Sequence, residues 1–247
     1  VQNQLRKILF EQYATHYRRA NKDVEQISRK DEDSFKIMYG QYLESLSQDS
    51  LVLDAGCGSG LLLQQLTKYT NIKPVGVDIS KGQIDKAREC LPNTELICSD
   101  ALEYLKDHKK TFSGIFCTDV LEHLETIDHC LEFVRAMQSA LIPGGFCIVR
   151  TPNAANLTSS YTRYMDLTHE RSFTRTSLLQ LLESGGLQEL EVISEAAKHF
   201  TGTIRLFVER YFHKVLFMLC GRGLEYVFTK NVILLGYAIN KRETTNN

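Results

Sequence analysis

From Ser50 onward, short apolar runs alternate along the chain with longer stretches in which apolar positions recur every three or four residues. The runs predict strands at Leu51–Asp54, Lys73–Asp78, Glu95–Cys98, Gly114–Thr118 and Phe146–Arg150. The stretches between them predict amphipathic helices at about 60–69, 81–91, 101–108 and 126–141. Strands spaced by helices of roughly 10–15 residues point to an α/β protein with a parallel sheet covered on both faces. Past Thr151 a helix is expected at about 175–184, stopped by Gly185-Gly186, with strands at about 188–194 and 231–239. Ahead of the first strand, residues 1–20 and about 33–47 carry a helical pattern, joined by a polar, charged stretch from Asn21 to Asp33. Residues 196–230 interrupt the alternation. Within them Ile204–Cys220 is helical in pattern and apolar over most of its surface, and Arg205, Glu209 and His213 recur at i, i+4, i+8 as one narrow polar stripe. The expected division is one domain over 1–247: a helical cap at 1–47, a core at 48–195 and 231–240, and a helical insertion at 196–230.

Composition narrows the class. A length of 247 residues suits one large α/β domain. The 29 Lys and Arg against 30 Asp and Glu leave no global field for nucleic acid or an anionic membrane, so no nucleic-acid partner is expected. The cysteines, Cys57, Cys90, Cys98, Cys117, Cys130, Cys147 and Cys220, are odd in number and include no Cys-x-x-Cys pair. They read as reduced, mostly buried thiols of a cytoplasmic protein, not as a disulfide framework or zinc site. No signal peptide is visible, and no apolar run reaches the roughly 18–20 residues that span a bilayer. The chain opens at Val1, which leaves its natural start undefined.

The densest chemistry begins at Leu51-Val52-Leu53-Asp54-Ala55-Gly56-Cys57-Gly58-Ser59-Gly60, a buried strand passing through a glycine turn into a helix at Leu61. Such a turn lets a bulky ligand lie against bare backbone. Dinucleotide sites space their glycines G-x-G-x-x-G; here the pattern is G-x-G-x-G with Asp54 just before it. Val75-Gly76-Val77-Asp78 then ends the second strand on a carboxylate placed to accept from two ribose hydroxyls, followed by Ile79. Ser99-Asp100-Ala101 puts a third acid after the third strand, where it either meets an adenine amino group or caps the next helix. Over residues 48–240 these elements resemble the class I S-adenosylmethionine (SAM)-dependent methyltransferases. The resemblance implies a doubly wound, Rossmann-like, seven-stranded sheet with its last strand antiparallel. It also implies SAM lying across Gly56, Gly58 and Gly60, with Asp54, Cys57, Asp78, Ile79, Asp100, Ala101 and Thr118 around it. Tyr13 and Tyr17, one helical turn apart, either close over SAM or pack in the core.

Beyond the fourth strand, Thr118-Asp119-Val120-Leu121-Glu122-His123 places Asp119, Glu122 and His123 at i, i+3, i+4, one face of a helical turn. Asp166-Leu167-Thr168-His169-Glu170 adds an imidazole after the fifth strand. Asp119, Glu122, His123 and His169 make a candidate site for Mg2+ or another divalent cation, which would help deprotonate an alcohol of pKa about 16. Without a metal, His123 or His169 is the candidate general base, and Glu122 a further catalytic residue. The segment is similar to the E-x-x-E-H motif of ubiquinone-biosynthesis and small-RNA 2′-O-methyltransferases, with Asp119 one methylene shorter than their first Glu. Thr151-Pro152-Asn153 and His169 add to the likeness to the RNA group. Asp166–His169, Phe173-Thr174, Gly185-Gly186 and Tyr226–Asn231 resemble methyltransferases of polysaccharide and secondary-metabolite clusters. The expectation is O-methylation of a small-molecule acceptor; N- or C-methylation on the same fold and a non-catalytic SAM binder are the rivals. Ile204–Cys220 is expected to wall the acceptor pocket, with a homodimer contact or an interfacial membrane helix as alternatives. His16, His108, His129, His199 and His213 have no partner pattern and read as surface or packing residues.

Overall fold

The computed structural model describes residues 29–195, 200–221, 227 and 229–238. Helix α1 (Arg29–Glu44) precedes β1 (Ser50–Ala55), α2 (Leu61–Leu66), β2 (Ile72–Asp78), α3 (Lys81–Cys90), β3 (Glu95–Cys98), α4 (Ala101–Asp107) and β4 (Phe112–Thr118). A 3-10 turn at Leu121–His123 leads to α5 (Ile127–Ala140), β5 (Leu141–Pro152), α6 (Ser159–Tyr164), α7 (Arg175–Ser184), β6 (Gln188–Val192), α8 (Phe200–Leu219) and β7 (Asn231–Tyr237). The seven strands form one sheet in the order β3-β2-β1-β4-β5-β7-β6. β1 to β5 run parallel, and β7 is antiparallel to both neighbours. The expected fold class is therefore present. Reversal of strand order around β1 opens a crevice at the carboxyl edge of the parallel strands, where such sheets take their ligands.

Period-two alternation on buried strands builds two cores. Leu53, Ile115, Cys117, Cys147, Val149 and Leu234 meet α5 and α7 on one face; Val52, Phe116, Ile148, Ile233 and Leu235 meet α1, α2 and α3 on the other. Phe35 and Tyr39 of α1 pack against Phe116, with Tyr39 edge-on at 5.5 Å between ring centroids. Helix α1 starts earlier than the polar stretch suggested, because its charged residues form a solvated first turn. Asp31 and Glu32 sit there, favourable to the helix dipole, and Glu32 pairs with Lys68 at 2.7 Å. Residues 1–20 and the segment from Asn21 to Ser28 lie outside the described residues, as do Tyr13, His16, Tyr17, His199, Tyr226 and Phe228. Four of the seven cysteines, Cys57, Cys117, Cys130 and Cys147, are buried and Cys90, Cys98 and Cys220 are exposed; all seven are free thiols. Among the described residues no helix is long and apolar enough to cross a membrane.

Helix α8 is oriented against the usual rule. Two of its polar residues turn inward: the Asn156 side-chain amide donates to Glu209 at 2.8 Å, and the Leu157 N–H donates to His213 Nε2 at 2.8 Å. His213 is 3% exposed, so it fastens the helix to the segment leaving β5 instead of lying loose at the surface. The apolar stripe of Ile204, Phe207, Val208, Tyr211, Phe212 and Met218 is exposed.

Candidate active site

The glycine turn joining β1 to α2 is left-handed at three points, with φ of 83° at Gly56, 51° at Gly58 and 84° at Gly60. Two of its N–H groups, Gly56 and Cys57, donate to Val77 O at 2.8 and 3.0 Å, so the loop is fastened to the next strand. Gly58 N–H donates to Asp78 Oδ2 and Ser80 N–H to Asp78 Oδ1, both at 2.8 Å. Asp78 thereby holds the loop in shape, and each of its oxygens keeps a second lone pair for a hydroxyl donor. Burial raises its pKa above the ordinary carboxylate value, against the two N–H bonds, which lower it. A side chain on Gly56 would strike Val120, while one on Gly58 would meet nothing within 4 Å. The open ground over Gly58 is a cradle for ligand backbone contact.

Asp54 lies beneath this turn, 1% exposed, with Oδ2 lacking any hydrogen-bond partner. Burial and then Asp78 push its pKa up to about 8. An orphaned, desolvated carboxylate is costly unless a cation or donor arrives. The ammonium of a methionine moiety fits that requirement. Cys57 turns its thiol inward, so only its backbone faces the cradle side of the loop. Asp100 caps α4, Oδ1 accepting from Leu102 N–H at 2.8 Å and Glu103 N–H at 3.3 Å. That is the capping alternative, and both contacts engage one oxygen. Ile79 is 52% exposed beside Asp78, an apolar surface for a base to lie on, and Ala101 and Thr118 begin α4 and end β4.

Across β4 the acids part company. Asp119 adopts φ 56°, its N–H donates to Arg150 O at 2.9 Å, and the Arg150 guanidinium grips both its oxygens. Its expected place among metal ligands is thus corrected: the chain after β4 makes one left-handed residue and a 3-10 turn, not an α-helical turn. The ligand atoms that gather, all within 4.8 Å of one another, belong to Glu122, His123 and His169. Glu122 is 1% exposed; Oε2 accepts from Thr151 Oγ1 at 3.2 Å and Oε1 has no partner. Burial, then the nearby Asp119, raises its pKa well above the ordinary value.

Both imidazoles are held by Nδ1. His169 Nδ1 lies 2.9 Å from Thr162 O, so it carries the hydrogen. Thr168 Oγ1 donates to Asp166 Oδ1 at 2.7 Å and therefore accepts from His123 Nδ1 at 2.8 Å. These bonds assign the tautomers and put the lone pairs on the two Nε2 atoms, as in metal-bound histidines. The rings stand 4.8 Å apart between centroids. Burial, then His169, lowers the His123 pKa to about 4. An imidazole neutral throughout the physiological range is a sound ligand and a weak base. The orphaned Oε1 and the mixed N/O donor set fit a divalent cation.

The fold is a doubly wound α/β sheet whose glycine turn and Asp78 make one candidate site at the crevice, with the Glu122–His123–His169 cluster past β4 as a second candidate centre. Residues 19–192 match the sequence model of the family described as "Methyltransferase domain", and the chain belongs to that family. It is 33% identical over 156 residues to a ubiquinone biosynthesis O-methyltransferase of Coxiella burnetii, a match covering 57% of this chain and 64% of that one. The chain thus spans less than two thirds of that relative's length. A tRNA (carboxymethyluridine(34)-5-O)-methyltransferase of Saccharomyces cerevisiae is 30% identical over 113 residues, 44% of this chain and 38% of that one. In fold it is similar to a SAM-dependent methyltransferase of Archaeoglobus fulgidus, with TM-score 0.61 and 22% identity over 83% of this chain and 94% of that one.

The sequence assigned no role to Arg150 or Asn156, and Thr151 and Thr168 entered only as members of quoted motifs, without the bonds they make to Glu122 and His123. Asp119 and Arg150 are 31 residues apart, and Thr168 and His123 45 apart; local spacing holds no record of such pairs.

Proposed function

We propose that this protein is an O-methyltransferase that moves the methyl group of SAM to a hydroxyl of a small or medium-sized metabolite, sugar- or polyketide-like, with help from a divalent cation such as Mg2+. The observation that carries the oxygen specificity is the Glu122–His123–His169 cluster, with its orphaned carboxylate oxygen and its Nδ1-anchored imidazoles. Amine acceptors already carry a nucleophilic lone pair and need no such group. The Coxiella and Saccharomyces relatives are both named for transfer to oxygen, which supports the same choice.

When bound, SAM supplies an electrophilic methyl on a sulfonium. The chain's part is to hold that donor and to line the acceptor oxygen up behind the methyl carbon, an arrangement whose entropy alone accounts for much of the rate. Gly56, Gly58 and Gly60 present backbone to the donor, Asp78 takes the ribose and Asp54 the ammonium. Asp100 and Ile79 border the base, with Ala101 and Thr118 as further donor contacts. Glu122, His123 and His169 would hold the cation, whose Lewis acidity lowers the hydroxyl pKa where it is bound. Thr168 and Asp166 keep His123 in its ligating tautomer. Helix α8, clamped by Asn156 and Leu157, forms the outer wall of the acceptor pocket.

The test is direct. Metal-free protein is titrated with Mn2+ and followed by electron paramagnetic resonance, then assayed with SAM against matched hydroxyl and amine acceptors, with products read by mass spectrometry. Bound Mn2+ that disappears in His169→Ala, together with methyl ethers as the only products, supports the reading. Full turnover in chelator with methylated amines would replace it by a metal-free N-methyltransferase, and a tRNA product would replace the metabolite acceptor.

A further inference from the structure

Asp78 and the Gly58 cradle account for the nucleoside end of the donor; its amino-acid end carries two opposite charges that must both be met once water is displaced. Along the sheet, the ribose acid stands at the tip of β2, while the Glu122–His123–His169 cluster lies past β4. A donor whose ribose is at β2 and whose methyl faces that cluster extends its methionine across β1 toward β4 and β5. The turn after β4 closes on the glycine loop at that end: Val120 Cγ2 fills the space 2.4 Å from where a Gly56 side chain would begin. The residue before it, Asp119, fixes the Arg150 guanidinium at the tips of β4 and β5.

Register gives the face. Asp54 pairs with Phe116, Phe116 with Ile148, and Arg150 lies two residues beyond Ile148. Asp54 and Arg150 therefore project from the same side of the sheet, the side on which Tyr39 of α1 packs. Asp119 engages Nε and Nη2 of a group with five N–H donors, so the Nη1 donors remain for a second carboxylate. Asp119 adopts left-handed backbone, a conformation Asp takes more readily than most non-glycine residues, and in it both carboxylate oxygens lie on the guanidinium.

We propose that Arg150 is the anchor for the α-carboxylate of SAM, so that Arg150 and Asp54 together read the zwitterion at the donor's amino-acid end. The inference rests on the reading that this chain binds SAM. Arg150 is a donor-binding residue on this account, separate from the cation cluster, and Asp119 positions it.

Three ligands and two variants test it by calorimetry: S-adenosylhomocysteine, its decarboxylated analogue, and 5′-methylthioadenosine, which lacks the amino-acid end. Wild-type protein should bind S-adenosylhomocysteine about 10- to 100-fold more tightly than the decarboxylated analogue, the range for a charge-assisted hydrogen-bonded pair. In Arg150→Gln that preference should vanish, with 5′-methylthioadenosine affinity unchanged within about twofold; Arg150→Lys should restore part of it. The wild-type comparison needs no variant to fold. Equal wild-type affinity for the two homocysteine analogues would overturn the proposal. So would an Arg150→Gln protein that loses 5′-methylthioadenosine as fully as S-adenosylhomocysteine, which would make the guanidinium a fold element only. Wild-type protein that bound none of the three would instead strike the SAM reading itself.

Discussion

Gly56 and Gly58 are two residues apart in one turn, both left-handed, yet alanine should injure them in different ways. At Gly56 an alanine keeps φ near 83° at a cost of roughly 1–2 kcal/mol for an L residue. Its methyl would also sit 2.4 Å from Val120 Cγ2. Val120 is β-branched and has one comfortable rotamer to give up, so the overlap adds roughly 1–3 kcal/mol of the kind seen on overpacking a core. The sum, about 2–5 kcal/mol, corresponds to a fall in Tm of roughly 4–20 °C for a domain of this size. At Gly58 the backbone cost of about 1–2 kcal/mol remains, but nothing lies within 4 Å of the new methyl. Gly58→Ala should therefore lose only roughly 2–8 °C. Its methyl intrudes on the cradle instead, and S-adenosylhomocysteine affinity should fall at least about tenfold, one such factor being about 1.4 kcal/mol.

Thermal unfolding of ligand-free protein followed by calorimetric titration separates the two effects. Gly56→Ala/Val120→Ala supplies the internal control, because deleting the clashing carbons should return the steric share of the loss and leave the backbone share. The reasoning fails if Gly56→Ala is as stable as wild type, or if Gly58→Ala unfolds earlier than Gly56→Ala while binding the ligand normally.

Other consequences are open to measurement. His123→Ala, or a chelator, should lower turnover by orders of magnitude while S-adenosylhomocysteine affinity stays nearly level; equal turnover in chelator would remove the cation from the scheme. Asp54 has a folded pKa of about 8 against an ordinary 3.8, so the native state holds the extra proton between those values and stability falls as pH rises through them. Asp54→Asn carries no charge and should gain on wild type in urea denaturation between pH 5 and pH 8; parallel curves would contradict the shift. His123 is opposite in sign: with its pKa lowered from 6.5 to about 4, the unfolded state takes the proton first, and stability present above pH 6.5 is lost as pH falls toward 4. His123→Gln should flatten that acid limb. His213→Ala strips the Leu157 N–H of an acceptor, a loss of about 1–3 kcal/mol. Amide exchange should then speed up in α8, with the sheet unaffected.

What the sequence made legible follows the range of the interactions concerned. β3 matches the expected Glu95–Cys98 and α7 the expected 175–184, since a short apolar run between two helical patterns and a double-glycine stop are local signals. The long start of β5 was missed because Pro143-Gly144-Gly145 looks like a turn, yet Ala238 N–H bonds Gly145 O and draws the segment into the sheet. Short α6 offered too few turns for a period to show. Glu122, His123 and His169 could be found by residue type, but the loss of Asp119 to Arg150 could not, because it depends on β5 lying beside β4. In α8 the stripe was seen and its meaning reversed: Glu209 and His213 face inward because Asn156 and the Leu157 N–H wait there.

Strand order also limits how an acceptor can approach. On the proposed placement, with adenosine over β3 and β2 and methionine crossing β1 toward β4 and β5, the donor would occupy one half of the crevice and present its methyl where β4 and β5 end. The free approach is then from the β5 and β7 flank, across residues 154–169. That segment supplies Thr162 O to His169 and the Thr168–Asp166 relay to His123, and it also exposes Leu157, Tyr161, Tyr164, Met165 and Leu167. One stretch of chain therefore orients two of the candidate ligands and offers an apolar surface to the incoming molecule. An acceptor that buries an apolar portion there while its hydroxyl reaches Glu122 satisfies both features. A fully polar acceptor would leave those side chains in water and gain nothing from them. Selectivity is accordingly expected to change with Tyr161 and Leu167 while donor affinity does not, since neither lies on the half of the sheet that holds the nucleoside.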